Sequence, residues 1–139
     1  MADQFVAHLA TVPLFAQCSK HELAEIARFV DEIDIEAGRE LITEGDVGHE
    51  AFVVVEGTAS VTRDGQEVTT IGPGAVFGEM ALIDRAPRNA TVTAATPMKV
   101  LVIGKRQFSG LLDESASFRT SIMSALADRV RQKDAQLYG

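Results

Sequence analysis

The N-terminal part of the chain carries the hydrophobic spacing of helices. Apolar residues recur at a rough helical interval before Pro13, and between Leu23 and Val30 they follow the i, i+3, i+4, i+7 spacing of one buried face. Ser19 and Glu22 form the pattern of a capping box, in which two side chains satisfy free backbone donors at a helix start. We therefore predict helices here, one of which begins directly after Ser19.

Between about residues 33 and 103 the pattern changes to short runs of β-branched residues separated by turn signals. Asp64-Gly65 separates the runs Ala59–Arg63 and Gln66–Ile71, which is the sequence form of a tight type I′ hairpin. Further turns with glycine or proline lie at Gly38, Gly45–Gly48, Gly57, Gly72–Gly74 and Thr96–Pro97. This spacing predicts about seven or eight strands in a sandwich, jelly roll or barrel.

After Gly104 the helical pattern returns. Residues 105–112 have the pattern of a short helix, and residues 117–137 that of a longer one. The longer helix has an apolar stripe, formed by Phe118, Ile122, Ala125, Leu126 and Val130. We predict one domain spanning residues 1–139, in which helices flank a β-rich centre.

Composition narrows the class of protein. The hydrophobic fraction of 46% and charged fraction of 24% are those of a folded globular chain. A net charge of −7 argues against nucleic-acid binding, because a phosphate backbone requires a basic surface. The longest apolar run, Ala51–Val55, is far shorter than the ~20 residues of a membrane-spanning helix, and the first residues do not have the basic-then-apolar pattern of a signal peptide. These features predict a cytoplasmic protein without nucleic-acid or membrane partners.

The stretch from Phe77 to Val92 has the features of an anion site. Gly78 allows close approach of the backbone, and the amides of Glu79–Leu82 at a short helix start would point donors at an anion. Arg88 adds a permanently charged fork suited to two phosphate oxygens. Glu79 would accept hydrogen bonds from a sugar hydroxyl or pair with Arg88. A surface ion pair of these two residues, of little energetic value, is the structural alternative.

This stretch resembles the phosphate-binding cassette of cyclic-nucleotide-binding domains. Such domains occur in regulatory subunits of cAMP-dependent protein kinase, bacterial catabolite activator proteins and cyclic-nucleotide-gated channels. Three features carry the resemblance: Gly-Glu-Met-Ala-Leu, the nine-residue step from Glu79 to Arg88, and Pro-Arg followed by Ala-Thr-Val. The resemblance extends over residues 12–131. It implies a mainly β fold, an eight-stranded β-roll or jelly-roll barrel with N-terminal helices and two C-terminal helices.

The resemblance also implies roles for individual residues. Glu79 would bind the ribose 2′-hydroxyl and Arg88 the cyclic phosphate, while Arg129 in the last helix is a candidate lid over the base. Asn89 stands where many family members have Thr, Ser or Ala. In cGMP-selective members a Thr there commonly contacts the guanine amino group, so the resemblance implies cAMP as the ligand and cGMP as a less favoured one. The full implied set of ligand-binding residues is Gly78, Glu79, Met80, Ala81, Leu82, Arg88, Asn89, Ala90 and Val92.

The expected function is that of a non-enzymatic regulatory sensor with no metal, no cofactor and no catalytic residue. A zinc site requires converging ligands, and a cupin-type metalloenzyme would place several histidines on the strands. Residues 33–103 contain only His49, in a turn, and neither His21 nor His8 completes a metal-binding motif.

The partners and the output of the domain stay open at this point. The last helix could cover the nucleotide or pair with a second copy in a homodimer, and an effector protein of unknown identity would receive the signal. The alternative function is a ligand-free protein-interaction domain with a vestigial pocket.

Overall fold

The computed structural model describes residues 6–7, 9–10, 12, 15, 18–78, 82 and 86–131, with the side chains of 125, 126 and 128–131 excepted. Residues 6–7 and 9–10 are helical. The elements that follow are α1 (Lys20–Ala27), β1 (Asp31–Ile35), β2 (Glu40–Ile42), β3 (Glu50–Glu56), β4 (Ala59–Arg63), β5 (Gln66–Ile71), β6 (Val76–Phe77), β7 (Thr91–Ala94), β8 (Met98–Gly104), α2 (Lys105–Glu114) and α3 (Ala116–Arg131).

The eight strands form two antiparallel four-stranded sheets, with the orders β1-β8-β3-β6 and β2-β7-β4-β5. The predicted β-roll with an N-terminal helix and two C-terminal helices is therefore confirmed. The roll begins at Asp31, two residues before the predicted start, because Asp31 and Glu32 pair with Val102 and Leu101 of β8. Because their side chains are polar, the hydrophobic pattern gives no sign of this edge pairing, which uses backbone groups alone.

The predicted hairpin is confirmed with both of its strand boundaries. Arg63 pairs with Gln66, and the two intervening residues have positive φ angles, 53° at Asp64 and 79° at Gly65. A type I′ turn requires this backbone conformation at both central positions, and Asp-Gly adopts it at low cost.

The sheet of β1, β8, β3 and β6 separates two hydrophobic cores. Alternate residues of β3 point to opposite faces: Phe52 and Val54 pack inside the roll, whereas Ala51 and Val53 pack under the helices. β8 alternates in the same way. A sheet buried on both faces needs continuous apolar runs, which explains the run at Ala51–Val55. We call the two cores the roll core and the helical-layer core.

The capping box at α1 is confirmed. The backbone N–H of Ser19 donates to Glu22 Oε1 at 2.9 Å, and the N–H of Glu22 donates to Ser19 Oγ at 3.1 Å. Leu23, Ile26 and Ala27 are buried, as the spacing predicted.

The C-terminal helices differ slightly from the prediction. α2 extends to Glu114, and α3 begins at Ala116 because Ser115 Oγ accepts the N–H of Phe118 at 3.1 Å and so caps it. Phe118 and Ile122 of the predicted stripe are buried. The side chains of the other three stripe residues, and residues 132–137, lie outside the described part. No helix among the described residues is long and apolar enough to cross a membrane.

Candidate functional site

The guanidinium of Arg88 is buried and held in one orientation. Arg88 is only 6% exposed, so it is not the surface residue that the structural alternative required. Nη1 donates to the carbonyl oxygen of Gly78 at 2.6 Å, and Nη2 donates to that of Glu50 at 2.8 Å. Two carbonyl dipoles from β3 and from the residue after β6 therefore orient this permanently charged group.

The backbone of Arg88 is held as well. The N–H of Arg88 donates to the carbonyl of Asp46 at 2.8 Å, and its carbonyl accepts the N–H of Gly45 at 2.8 Å. The turn between β2 and β3 thus pairs with the segment that leads into β7. Arg88 is clamped at its main chain and at its side chain.

Gly78 makes room for the arginine. Its φ angle is +86°, and a Cβ atom added there would lie 2.9 Å from Arg88 Nη1 and 3.0 Å from the Glu50 carbonyl oxygen. Both the backbone conformation and the close approach favour glycine. Gly78 follows Phe77, whose ring stacks on Phe52 in the roll core with centroids 5.0 Å apart.

A second arginine adjoins the site, and sequence reasoning missed it. Arg63 Nε donates to the carbonyl oxygen of Asn89 at 3.0 Å. Arg63 follows Ala59 and Val61 at the two-residue period of β4, and both are fully buried in the roll core. This alternation was the available signal, because it places Arg63 on the inner face of the strand.

Glu44 ties the β4–β5 turn to the same region. Its carboxylate Oε1 accepts the N–H of Asp64 at 3.1 Å, and its own N–H donates to Thr91 Oγ1 at 2.9 Å. The hairpin turn, the β2–β3 turn and the start of β7 are thus joined by hydrogen bonds around Arg88. These hydrogen bonds connect the three segments that surround Arg88.

The predicted site residues fall into four groups. Asn89 is half-buried, and Ala90 and Val92 are fully buried in the roll core beside Arg88. Leu82 is also buried, but it packs in the helical-layer core. Gly78 and Arg88 are in contact, as described above, and the remaining predicted residues lie outside the described part of the structure: Glu79, Met80 and Ala81 entirely, and Arg129 for its side chain.

Metal and thiol chemistry find little support among the described residues. His21 and His49 are exposed, and no group of three or more His, Cys, Asp or Glu side chains in this part of the chain could hold a metal ion. His8 lies outside the described residues. Cys18 is half-buried, and burial, together with the negative charge of Glu22, raises the pKa of its thiol. A raised pKa disfavours the reactive thiolate.

A surface groove lies between α1 and α2. It consists of two adjoining cavities of about 240 and 200 Å³, which share Phe29, Leu111 and Glu114. Glu22 and Glu25 also line it. Three carboxylates and one arginine, Arg106, line the groove, so its charge is negative on balance and it is less suited to a phosphate than the surroundings of Arg88.

Comparison with known families now identifies the chain. The model of the cyclic nucleotide-binding domain matches residues 32–115, which include both Gly78 and Arg88. The chain belongs to the cyclic nucleotide-binding domain family, whose members are typically non-catalytic regulatory modules.

Two curated relatives and one solved structure are similar to the chain. It is 39% identical over 105 residues to a cAMP-dependent protein kinase regulatory subunit of Eremothecium gossypii, covering 75% of this chain and 23% of the subunit. It is 40% identical over 107 residues to a cyclic nucleotide-gated potassium channel of Mesorhizobium japonicum, covering 77% of this chain and 30% of the channel. The catabolite activator protein of Thermus thermophilus shares the fold, with a TM-score of 0.80 at 24% identity over 86% of this chain and 59% of that one. The chain thus spans less than a third of the two curated relatives.

Proposed function

We propose that this domain binds a cyclic nucleotide, with cAMP preferred, and acts as a regulatory sensor rather than as an enzyme. The observation that carries the proposal is the buried guanidinium of Arg88, held by the carbonyls of Gly78 and Glu50. An oriented, permanently charged fork is suited to the two exocyclic oxygens of a cyclic phosphate.

The neighbouring residues provide the rest of the proposed site. Ala90 and Val92 form an apolar wall in the roll core. The amides near Gly78, Met80 and Ala81 would donate to phosphate oxygens, and Glu79 would accept the ribose 2′-hydroxyl, as the family resemblance implies. We prefer cAMP over cGMP because Asn89 replaces the Thr with which cGMP-selective members commonly contact the guanine amino group.

The proposed output runs through the helical layer. Leu82, inside the cassette, belongs to the same buried cluster as Phe118 of α3. A movement of the cassette would therefore alter the packing at the start of that helix. A ligand shifts such an equilibrium only by its differential affinity for the two states. Arg129 as a lid, a homodimer through α3, a cytoplasmic location and an effector protein stay predictions.

Ligand-dependent thermal stabilisation tests the proposal. The protein, stripped of bound nucleotide, is heated with cAMP, cGMP or linear AMP in parallel. A ligand at a hundredfold excess over its Kd stabilises the folded state by about 2.7 kcal/mol. We expect the largest rise in Tm with cAMP, a smaller one with cGMP and none with AMP. Equal Tm values under all conditions would support a ligand-free interaction domain instead.

A further inference from the structure

We propose that Glu22 is a positioning residue for α3: its carboxylate latches the start of this helix to the start of α1 through the hydroxyl of Ser115. The two residues are 93 positions apart in the chain, yet Ser115 Oγ donates to Glu22 Oε2 at 2.6 Å. This short, charge-assisted hydrogen bond belongs to the stronger class of such bonds in proteins.

Both partners also cap a helix. The other carboxylate oxygen of Glu22 closes the capping box of α1 by accepting the N–H of Ser19. The hydroxyl oxygen of Ser115 accepts a hydrogen bond from the N–H of Phe118 at the start of α3, and the same hydroxyl group donates a hydrogen bond to Glu22. One carboxylate thus joins the N-terminal caps of two helices, which fixes the direction in which α3 leaves Ser115.

Ser115 lies where a change of direction is expected. It separates α2 from α3, and its backbone is extended, with φ −117° and ψ 108°. A few residues at the end of an element commonly absorb the change when a helix swings. A hydrogen bond to this residue therefore acts at the junction of α2 and α3 rather than along either helix.

Aromatic packing holds the same helix start. The ring of Phe118 stacks on Phe15 with centroids 5.5 Å apart and meets Phe108 of α2 edge-on at 5.4 Å. Leu82 belongs to the same buried cluster. The Glu22–Ser115 hydrogen bond and this cluster together hold the start of α3 in place, and the cluster also includes a residue of the cassette.

The hydrogen bonds to Glu22 also change its titration. The hydroxyl of Ser115, and after it the amide of Ser19, lower the pKa of the Glu22 carboxyl. The carboxylate is therefore the form that holds the latch at neutral pH.

Hydrogen exchange without ligand tests the latch independently of the proposed function. Glu22→Ala breaks the latch but leaves the Ser115 hydroxyl free to cap α3. Ser19→Ala is the matched control, because it removes the cap of α1 and leaves the Glu22–Ser115 bond in place. Glu22→Gln retains an acceptor oxygen and serves as the conservative variant if Glu22→Ala folds poorly.

We expect Glu22→Ala to speed exchange in the first turn of α3 by about three- to tenfold, the effect of losing one net hydrogen bond. Glu22→Gln should have a smaller effect, and Ser19→Ala should speed exchange only in α1. Equal effects of Ser19→Ala and Glu22→Ala on α3 would overturn the latch.

The link between the latch and the nucleotide rests on the proposed function and is tested by titration with cAMP. Glu22→Ala and Ser115→Ala should change the cAMP Kd in the same direction by about three- to tenfold. The double variant should change it by less than the sum of the two single effects, because both variants break the same Glu22–Ser115 bond. If exchange in α3 increases and the Kd of a binding-competent protein stays constant, the latch positions α3 but its link to the nucleotide is wrong. Absence of binding by the unaltered protein would refute the proposed function, and the exchange result would still decide the latch.

Discussion

The two faces of the β1-β8-β3-β6 sheet are stabilised in different ways. On the roll side, backbone carbonyls and amides of Gly78, Glu50, Asp46 and Gly45 hydrogen-bond to Arg88. On the helical side, the start of α3 is held by the packing of Phe118 and by the side-chain link from Ser115 to Glu22.

This difference suggests a division of labour. The hydrogen bonds between strands and those around Arg88 favour a single conformation of the roll. A single conformation suits the recognition of a rigid small molecule. Helices packed through side chains can reposition at lower cost, which suits the reporting of occupancy. Leu82 belongs to the cassette but packs on the helical side. A displacement of the cassette would therefore change the packing of the helices.

The largest expected effect is loss of packing in the helical layer. Phe118→Ala should lower the free energy of unfolding by about 3–5 kcal/mol, because it leaves a cavity between Phe15 and Phe108. Urea denaturation measures this change. Met123→Ala on the same helix is the control, since Met123 is 70% exposed and its truncation should cost less than about 0.5 kcal/mol. Equal costs for both variants would mean that α3 is not seated by Phe118.

The next effect tests the roll side. Arg88→Ala should weaken cAMP binding by about tenfold to a hundredfold or more, because a charge-assisted contact contributes roughly 1.5–3 kcal/mol. Calorimetric titration provides the affinity. Arg28→Ala is the control, since Arg28 is exposed and pairs only loosely with Glu25 at 3.6 Å. Unchanged affinity in Arg88→Ala would refute the assignment of the site.

Alanine variants of Gly78 and Gly38 distinguish the effect of backbone strain from the effect of crowding Arg88. Gly78→Ala and Gly38→Ala both place alanine at a positive φ, +86° and +91°, which should cost each variant about 1–2 kcal/mol of stability, and the close contact of the new Cβ with the Glu50 carbonyl oxygen adds to the cost at residue 78. Only the Cβ at residue 78 would crowd Arg88, because nothing lies within 4 Å of the one at residue 38. We therefore expect cAMP affinity to fall in Gly78→Ala alone. Equal affinities in the two variants would contradict the role of Gly78 beside the guanidinium.

The smallest effect concerns the dependence of stability on pH. Hydrogen bonds from Ser115 and Ser19 lower the pKa of Glu22 below its ordinary value of 4.5. Its contribution to stability is therefore fully present above pH 4.5 and is lost as the pH falls through the lower, folded-state pKa. The stability difference between the unaltered protein and Glu22→Gln should narrow over that acidic range. Parallel stability curves from pH 7 to pH 3 would contradict the assigned cause.

The elements that local sequence patterns determine were predictable. Asp64-Gly65 specified its hairpin because few other residue pairs adopt two consecutive positive φ angles, and Ser19 with Glu22 specified the start of α1. The start of β1 at Asp31 was missed because edge pairing uses the backbone and leaves no apolar signature.

The candidate site was predictable only in part. The sequence pointed to Arg88 and Gly78 as ligand-binding residues, which stays a prediction, and the structure shows a hydrogen bond between them. The carbonyl of Glu50 could not be predicted as the second partner, because every residue carries such a group. The Glu22–Ser115 bond joins residues 93 positions apart, so no local pattern could reveal it. Arg63 could have been found from the alternation of β4, since it follows two fully buried residues on the same face.

The central claim is that the surroundings of Arg88 bind a cyclic nucleotide, and calorimetric titration of the stripped, unaltered protein with cAMP and cGMP tests it most directly. The account predicts binding of cAMP with a micromolar or lower Kd and weaker binding of cGMP. Absence of heat with either nucleotide, from a protein shown to be folded, would contradict it.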